Sequence, residues 1–189
     1  MRSSQRILIT LIISLIAIAP CRAQYRNTLK ATVLSWTTGS AKIFYERHTG
    51  GIHTDQVALG YIGCTYDGKH NNPKGLIMRY GHKFNLALRN DDKPLQGLYV
   101  QPEMIYVNFK YNPKDGSERT RSEMFTLMSI IGYQFVYKRF VFDYFTGPGI
   151  VAGTEADTWY EHSFTLWEYF GTRNRKISYT MGFKVGVAF

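Results

Sequence analysis

The last stretch of the chain, Lys176–Phe189, constrains the fold more than any other. Ile177, Tyr179, Met181, Phe183, Val185, Val187 and Phe189 fall on every second position, with Ser178, Thr180, Gly182, Lys184, Gly186 and Ala188 between them. Side chains alternate faces along a strand, so this segment is one strand with an apolar face and a face of small or polar residues. It ends on an aromatic residue.

The opposite end has another character. Arg2 and Arg6 precede an apolar run, 7–19, followed by Pro20-Cys21-Arg22-Ala23. A charged segment, a hydrophobic core and small residues at the minus-three and minus-one positions predict a secretion signal over 1–23, cleaved after Ala23. The run is too short to span a bilayer, which needs about 20 apolar residues. Acylation of Cys21 is the competing reading. It is disfavoured because Pro20 stands where a lipoprotein signal wants Gly, Ala or Ser. Removing Arg2, Arg6 and Arg22 takes the formal charge from +9 to +6. For a secreted chain, that basic excess points to lipid phosphates or surface polysaccharide and away from nucleic acid. Loss of Cys21 leaves Cys64 alone, which excludes an internal disulfide.

Turn residues divide 24–189 into eight candidate strands near Leu29–Trp36, Ala41–His48, Gln56–Tyr66, Leu76–Leu88, Leu98–Tyr111, Glu123–Tyr137, Phe140–Ala152 and Lys176–Phe189. Most are near the roughly 9–11 residues that cross a bilayer at a tilt. An even count, a signal and alternating strands predict an all-β fold: an eight-stranded antiparallel up-and-down transmembrane β-barrel occupying 24–189. With both termini in the periplasm, the longest break, Gly153–Arg175, falls outside the cell and the tightest, Lys138-Arg139, inside.

In the fourth strand Leu76, Met78, Tyr80, Phe84 and Leu86 oppose Ile77, Arg79, Gly81, Lys83 and Asn85. His82 on the apolar face is tolerable near the headgroups. In the fifth strand Leu98, Val100, Pro102, Met104 and Tyr106 oppose Tyr99, Gln101 and Glu103. The phase then slips before Asn108 and Lys110, and a bulge near Ile105 is expected to explain it. In the seventh, Phe140, Phe142, Tyr144 and Ile150 oppose Asp143, Gly147 and Gly149.

The stretches Phe44-Tyr45-Glu46-Arg47, Gly75–Arg79, Gly97–Pro102, Gly132-Tyr133-Gln134 and Asp143…Gly147-Pro148-Gly149, with the terminal Gly182–Phe189, resemble the strand motifs of a family of small outer-membrane β-barrel proteins of unknown function. The resemblance implies an eight-stranded barrel of the Gram-negative outer membrane, with no catalytic residues to carry over. It also implies that Phe189 matches the terminal aromatic read by the barrel assembly machinery.

The inferred inward set is Lys30, Lys42, Glu46, Arg79, Lys83, Glu103, Asp143 and Lys184, joined by Gln101 and Gln134. Eight strands enclose just enough room for side chains, so these charges must pair. Glu46, Arg79, Glu103 and Lys184 are expected to meet near mid-height as a neutralising network. Such a network plugs the lumen; the rival is a narrow ion path or gate.

Trp159, Tyr160, Trp167, Arg173 and Arg175 in the seventh break suit a contact surface for sugar, lipid headgroup or an unidentified protein partner. Equally, they extend the flanking strands as an aromatic girdle. Lys69, Lys74, Lys110, Lys114, Arg119 and Arg121 on other outer loops are candidates for lipopolysaccharide phosphates. No cofactor or metal is expected, because His48, His53, His70, His82 and His162 are dispersed and no cysteine pair supports them. The expected role is structural or surface-interacting, not enzymatic. A lipid-modifying hydrolase would need His162 or Ser163, yet strand neighbours point to opposite faces. A secreted soluble lipid-binding barrel would want an apolar inside, against which Arg79, Lys83, Glu103 and Lys184 argue.

Overall fold

The computed structural model describes residues 25–32, 35, 39–64, 72–87, 94–112, 118–153, 160–161, 167–170 and 177–189. The expected signal over 1–23 lies outside them, as do Trp159, His162, Ser163, Arg173 and Arg175. Among the described residues ten strands form one antiparallel sheet: β1 (Asn27–Ala31), β2 (Ser40–Gly50), β3 (His53–Ile62), β4 (Lys74–Ala87), β5 (Gly97–Tyr111), β6 (Thr120–Tyr137), β7 (Phe140–Gly153), β8 (Tyr160–Glu161), β9 (Trp167–Phe170) and β10 (Ile177–Ala188). Strands β1 to β7 and β10 pair in that order. Pairing of Thr28–Ala31 with Val185–Ala188 closes them into an eight-stranded barrel. Along those four pairs the two edges that an open sheet would leave are joined to each other.

The first strand departs from expectation. It ends at Ala31, not near Trp36; beyond it the Thr32 N–H still donates to the Lys42 carbonyl at 3.4 Å, Thr32 and Ser35 are buried, and the Ser35 hydroxyl donates to the Thr32 carbonyl at 3.0 Å. That leaves part of the β10 edge without β1. The other edge of β10 is covered by β7 from Ile177 to Val187, so β9 takes the vacated edge, pairing Phe170–Trp167 with Ser178–Met181. Part of the long break between β7 and β10 thus becomes barrel wall, carrying β8 on its far side.

The turns follow from local chemistry. Gly50 and Gly51 adopt φ of +132° and +55° between β2 and β3, a conformation that favours residues without a Cβ. Lys138 takes φ +53° in the two-residue turn from β6 to β7, the left-handed first position of a tight hairpin.

No bulge lies near Ile105. The β4–β5 register runs unbroken from Lys74↔Lys110 to Gly81↔Glu103, so Asn108 and Lys110 stay on the outer face with Tyr106. What changes there is the surroundings: Ile105, Val107 and Phe109 point inward and are buried. Polarity swaps between the two faces at this level while the geometry continues.

Inside, the barrel has three layers. At the end holding the Lys138 turn, Leu95, Val136, Val141 and Ala188 form a small apolar floor with Tyr25 against it. Charged and amide side chains occupy the middle. Towards the other end, Ile62, Ile77, Ile105, Val107, Phe109 and Met124 belong to a larger apolar cluster. Space is made by glycines. A Cβ at Gly132 would lie 2.4 Å from the Tyr99 ring, and one at Gly186 2.7 Å from Lys30 Cγ, so long side chains lie flat across the neighbouring strand.

Candidate functional site

Asp143 is the centre of the buried middle layer. It stands on β7 between Gln134 of β6 and Lys184 of β10, its cross-strand neighbours. Its Oδ2 receives Lys30 Nζ at 2.7 Å and Lys83 Nζ at 3.1 Å, with Lys184 Nζ at 3.6 Å, and its Oδ1 accepts the Tyr99 hydroxyl at 2.6 Å. Glu46 on β2 is the second anion. Lys30 and Lys83 reach its Oε2, the latter at 2.9 Å; Gln56 donates an amide N–H to Oε2 and Gln134 one to Oε1, each at 3.0 Å. The Gln134 carbonyl in turn accepts from Lys30 at 2.8 Å and Lys83 at 2.9 Å. Four strands from different parts of the chain, β1, β2, β4 and β7, thus hold two carboxylates between two shared ammonium groups.

Arg79 and Glu103 form a separate fork. Arg79 Nε and Nη2 donate to the two carboxylate oxygens of Glu103, both at 3.0 Å. The parallel pair is the bidentate geometry that makes guanidinium–carboxylate contacts strong. The expected meeting of Glu46, Arg79, Glu103 and Lys184 is therefore resolved differently. Glu46 belongs with Lys30 and Lys83, Arg79 with Glu103, and Lys184 with Asp143 and Gln56, whose carbonyl it meets at 3.0 Å. The groups are joined through an aromatic ring: Phe44 has Lys184 Nζ 4.5 Å and Arg79 Cζ 5.8 Å from its centroid.

Lys42, Glu46, Arg79, Lys83, Glu103, Asp143 and Lys184 all point inward and are buried. Among the described inward residues, Lys30, Lys42, Arg79, Lys83 and Lys184 face only Glu46, Glu103 and Asp143, so cations outnumber carboxylates. Ring faces offset part of the imbalance. Lys184 Nζ is 4.1 Å from the Phe145 centroid as well as near Phe44, and Lys83 Nζ is 3.9 Å from that of Tyr99. Partial negative charge on an aromatic face stabilises a desolvated ammonium.

Tyr99 and Gln56 are the members that sequence reasoning left without a role. Both were in phase with inward neighbours: Tyr99 with Gln101 and Glu103, Gln56 with Ala58 and Gly60. Nothing local tells which inward polar residue touches which, since Lys30 and Asp143 are more than a hundred positions apart.

A second polar cluster sits on the outer face near the β2–β3 turn, where the sequence saw only scattered histidines. Asp55 Oδ1 lies 2.7 Å from His82 Nδ1 and accepts the Tyr80 hydroxyl at 3.0 Å, while His82 Nε2 lies 3.1 Å from His53 Nδ1. Across β3 and β4 Asp55 is the register partner of His82 and His53 that of Phe84, and Phe84 meets both histidine rings edge-on. Among the described residues no group of three metal-ligating side chains is placed to hold a metal ion.

Phe189 is half exposed on the outer face, and its backbone exchanges two hydrogen bonds with Asn27, at 2.9 and 3.1 Å, across the closing seam. Of the aromatic and basic residues expected to form an outer contact surface, Tyr160 and Trp167 fall in β8 and β9; the side chains of both lie outside the described residues. No family model, curated protein or solved structure matches the chain significantly.

Proposed function

We propose that this chain is an outer-membrane β-barrel protein with a structural or surface-interaction role, whose lumen is closed by its own side chains. The observation that carries the membrane reading is the outer face. Its described outward positions on β6 run Phe125, Leu127, Ser129, Ile131, Tyr133, Phe135, Tyr137 without a charge, most of them exposed. At ~3.3 Å per residue and a tilt of about 40°, that run covers roughly 30 Å along the barrel axis. Ile43, Leu59, Leu76, Met78, Tyr144, Ile150 and Phe183 continue the band on the other strands, each exposed. Charges among the described outward residues gather towards its two ends: Arg47 and Asp55 on one side, Lys74, Lys110, Arg121 and Glu123 on the other. A soluble lipid-carrying barrel has the reverse polarity, with its exposed face polar. An apolar band about 25 Å tall between polar rims is what a bilayer solvates.

The lumen supports a plug over a pore. Ion pairs and amides fill the middle layer and apolar side chains lie on both sides of it, so the cross-section is occupied at three levels. The role proposed for Phe189 is recognition by the barrel assembly machinery, and the surrounding lipid and lipopolysaccharide are the immediate partners. A protein partner at the outer loops and the absence of catalysis belong to the same reading.

The experiment is refolding. In detergent or vesicles the chain should become β-rich and migrate differently on gels before and after boiling. A monodisperse protein purified without detergent overturns the membrane assignment.

A further inference from the structure

The outer face carries a groove of about 570 Å³ where the short side chains of Pro102 and Ser129 lie beside the larger Tyr80, Met104, Leu127 and Ile150. Its floor is Pro102, Ser129 and Gly149 on β5, β6 and β7, with Leu127 and Ile150 along its upper side and His82 at one end. The cause is legible in the pairing. The β4–β5 register stops at Gly81↔Glu103 and resumes at Phe84↔Val100, and Pro102 falls in the interruption. The β6–β7 register stops at Met128↔Gly149 and resumes at Ile131↔Thr146, and Pro148 falls in that one. Proline has no N–H to give a ladder, so each break follows from the residue. Ser129 stands between the two breaks, and its short side chain leaves the floor low.

Resting on the membrane reading above, we infer that this groove is a binding site for one zwitterionic glycerophospholipid, which lays an acyl chain over Ser129 and sets its headgroup against the Asp55–His82–His53 cluster. The groove is lined mostly by apolar surface, as a hydrocarbon chain requires. It runs along the hydrogen-bonding direction, and its His82 end lies five residues from the end of β4, whereas Ser129 lies eight from the end of β6. One end is therefore near the polar rim and the other deeper in the apolar band, the path of a lipid chain entering from a headgroup layer.

The rim supplies both signs of charge. Arg47 is the outward register neighbour of Asp55, and Asp55 is that of His82. A headgroup phosphate is matched by Arg47, and a headgroup ammonium by Asp55, whose side chain is 38 % exposed despite its bonds to His82 and Tyr80. A purely anionic lipid gains the first contact and meets repulsion at the second. Ionisable groups on a face that otherwise meets hydrocarbon are costly, and a ligand that uses both signs gives them a role.

The test uses the protein refolded into phosphatidylglycerol vesicles titrated with phosphatidylethanolamine spin-labelled on its acyl chain, with labelled phosphatidylglycerol as comparator. Saturable immobilisation of one phosphatidylethanolamine per barrel, above the boundary layer common to both lipids, is the expected result. Ser129→Phe fills the groove from the outer face and should abolish that site, whereas Ser129→Ala should keep it. Asp55→Asn should weaken the preference for phosphatidylethanolamine over phosphatidylglycerol by about tenfold, equivalent to ~1.4 kcal/mol. If the barrel inserts and shifts on gels but shows no saturable site, or if Ser129→Phe binds as the parent does, the groove proposal fails and the membrane reading stands. If the barrel does not insert at all, both fall.

Discussion

At the scale of single residues, the fork between Arg79 and Glu103 offers the sharpest energetic test. Both side chains are almost wholly inside, and Glu103 takes two guanidinium bonds at 3.0 Å. Arg79→Ala leaves that carboxylate buried without its fork, which costs on the order of 3–5 kcal/mol. Replacing the pair together, Arg79→Met with Glu103→Leu, should recover most of the loss, because buried pairs exchanged for apolar groups of similar volume are near neutral. Thermal melts of the three variants in one detergent check this. Single and double variants losing equal stability would mean that the fork is not the interaction that matters at Arg79. The alternation of the fourth strand placed Arg79 inward; only the closed barrel decided between Glu46 and Glu103 as its partner.

At the scale of elements, the barrel is held at a seam and at turns. The β1–β10 contact spans four register pairs, and Phe189 extends it by the two backbone bonds to Asn27. Deleting Phe189 removes those bonds and the ring together, whereas Phe189→Ala removes the ring alone. If the ring is the signal read during insertion, Phe189→Ala should fold normally in detergent in vitro yet fail to reach the outer membrane in cells. Normal surface levels of Phe189→Ala would leave the residue only its seam bonds. The β6–β7 turn yields a second prediction. Lys138 holds a left-handed φ that costs an ordinary L-residue about 1 kcal/mol and Asn less. Lys138→Asn should therefore raise the unfolding midpoint slightly, and Lys138→Val, β-branched at positive φ, should lower it. Chemical denaturation followed by tryptophan fluorescence measures both.

At the scale of the molecule, an apolar exterior surrounds an interior of alternating charged and apolar layers. Eight strands leave room for side chains and little else. Reconstituted into planar bilayers, the protein should show no conductance steps. Arg79→Ala should change stability without opening a path, because the apolar layers on either side of the charges remain. Steady, selective conductance in the parent protein would refute the plug, and conductance only in Arg79→Ala would make the ion pairs its gate.

The alternation of apolar and polar residues determined by itself that the chain makes strands, where most of them run, and which side chains turn inward, since period two is a property of every extended chain. It was blind to matters that depend on the closed circuit. Register decided that Asp143 and Glu46 share Lys30 and Lys83, contacts between residues far apart in the chain. The short β1, and the pairing of β9 beside it on the same edge of β10, were likewise visible only once the strands had paired. The phase at Asn108 misled because a change of environment along one face looks, in sequence, like a change of face. The pairing of His53 with His82 was hidden for the same reason as the lumen contacts: side chains on adjacent strands become neighbours only once the sheet has fixed its register.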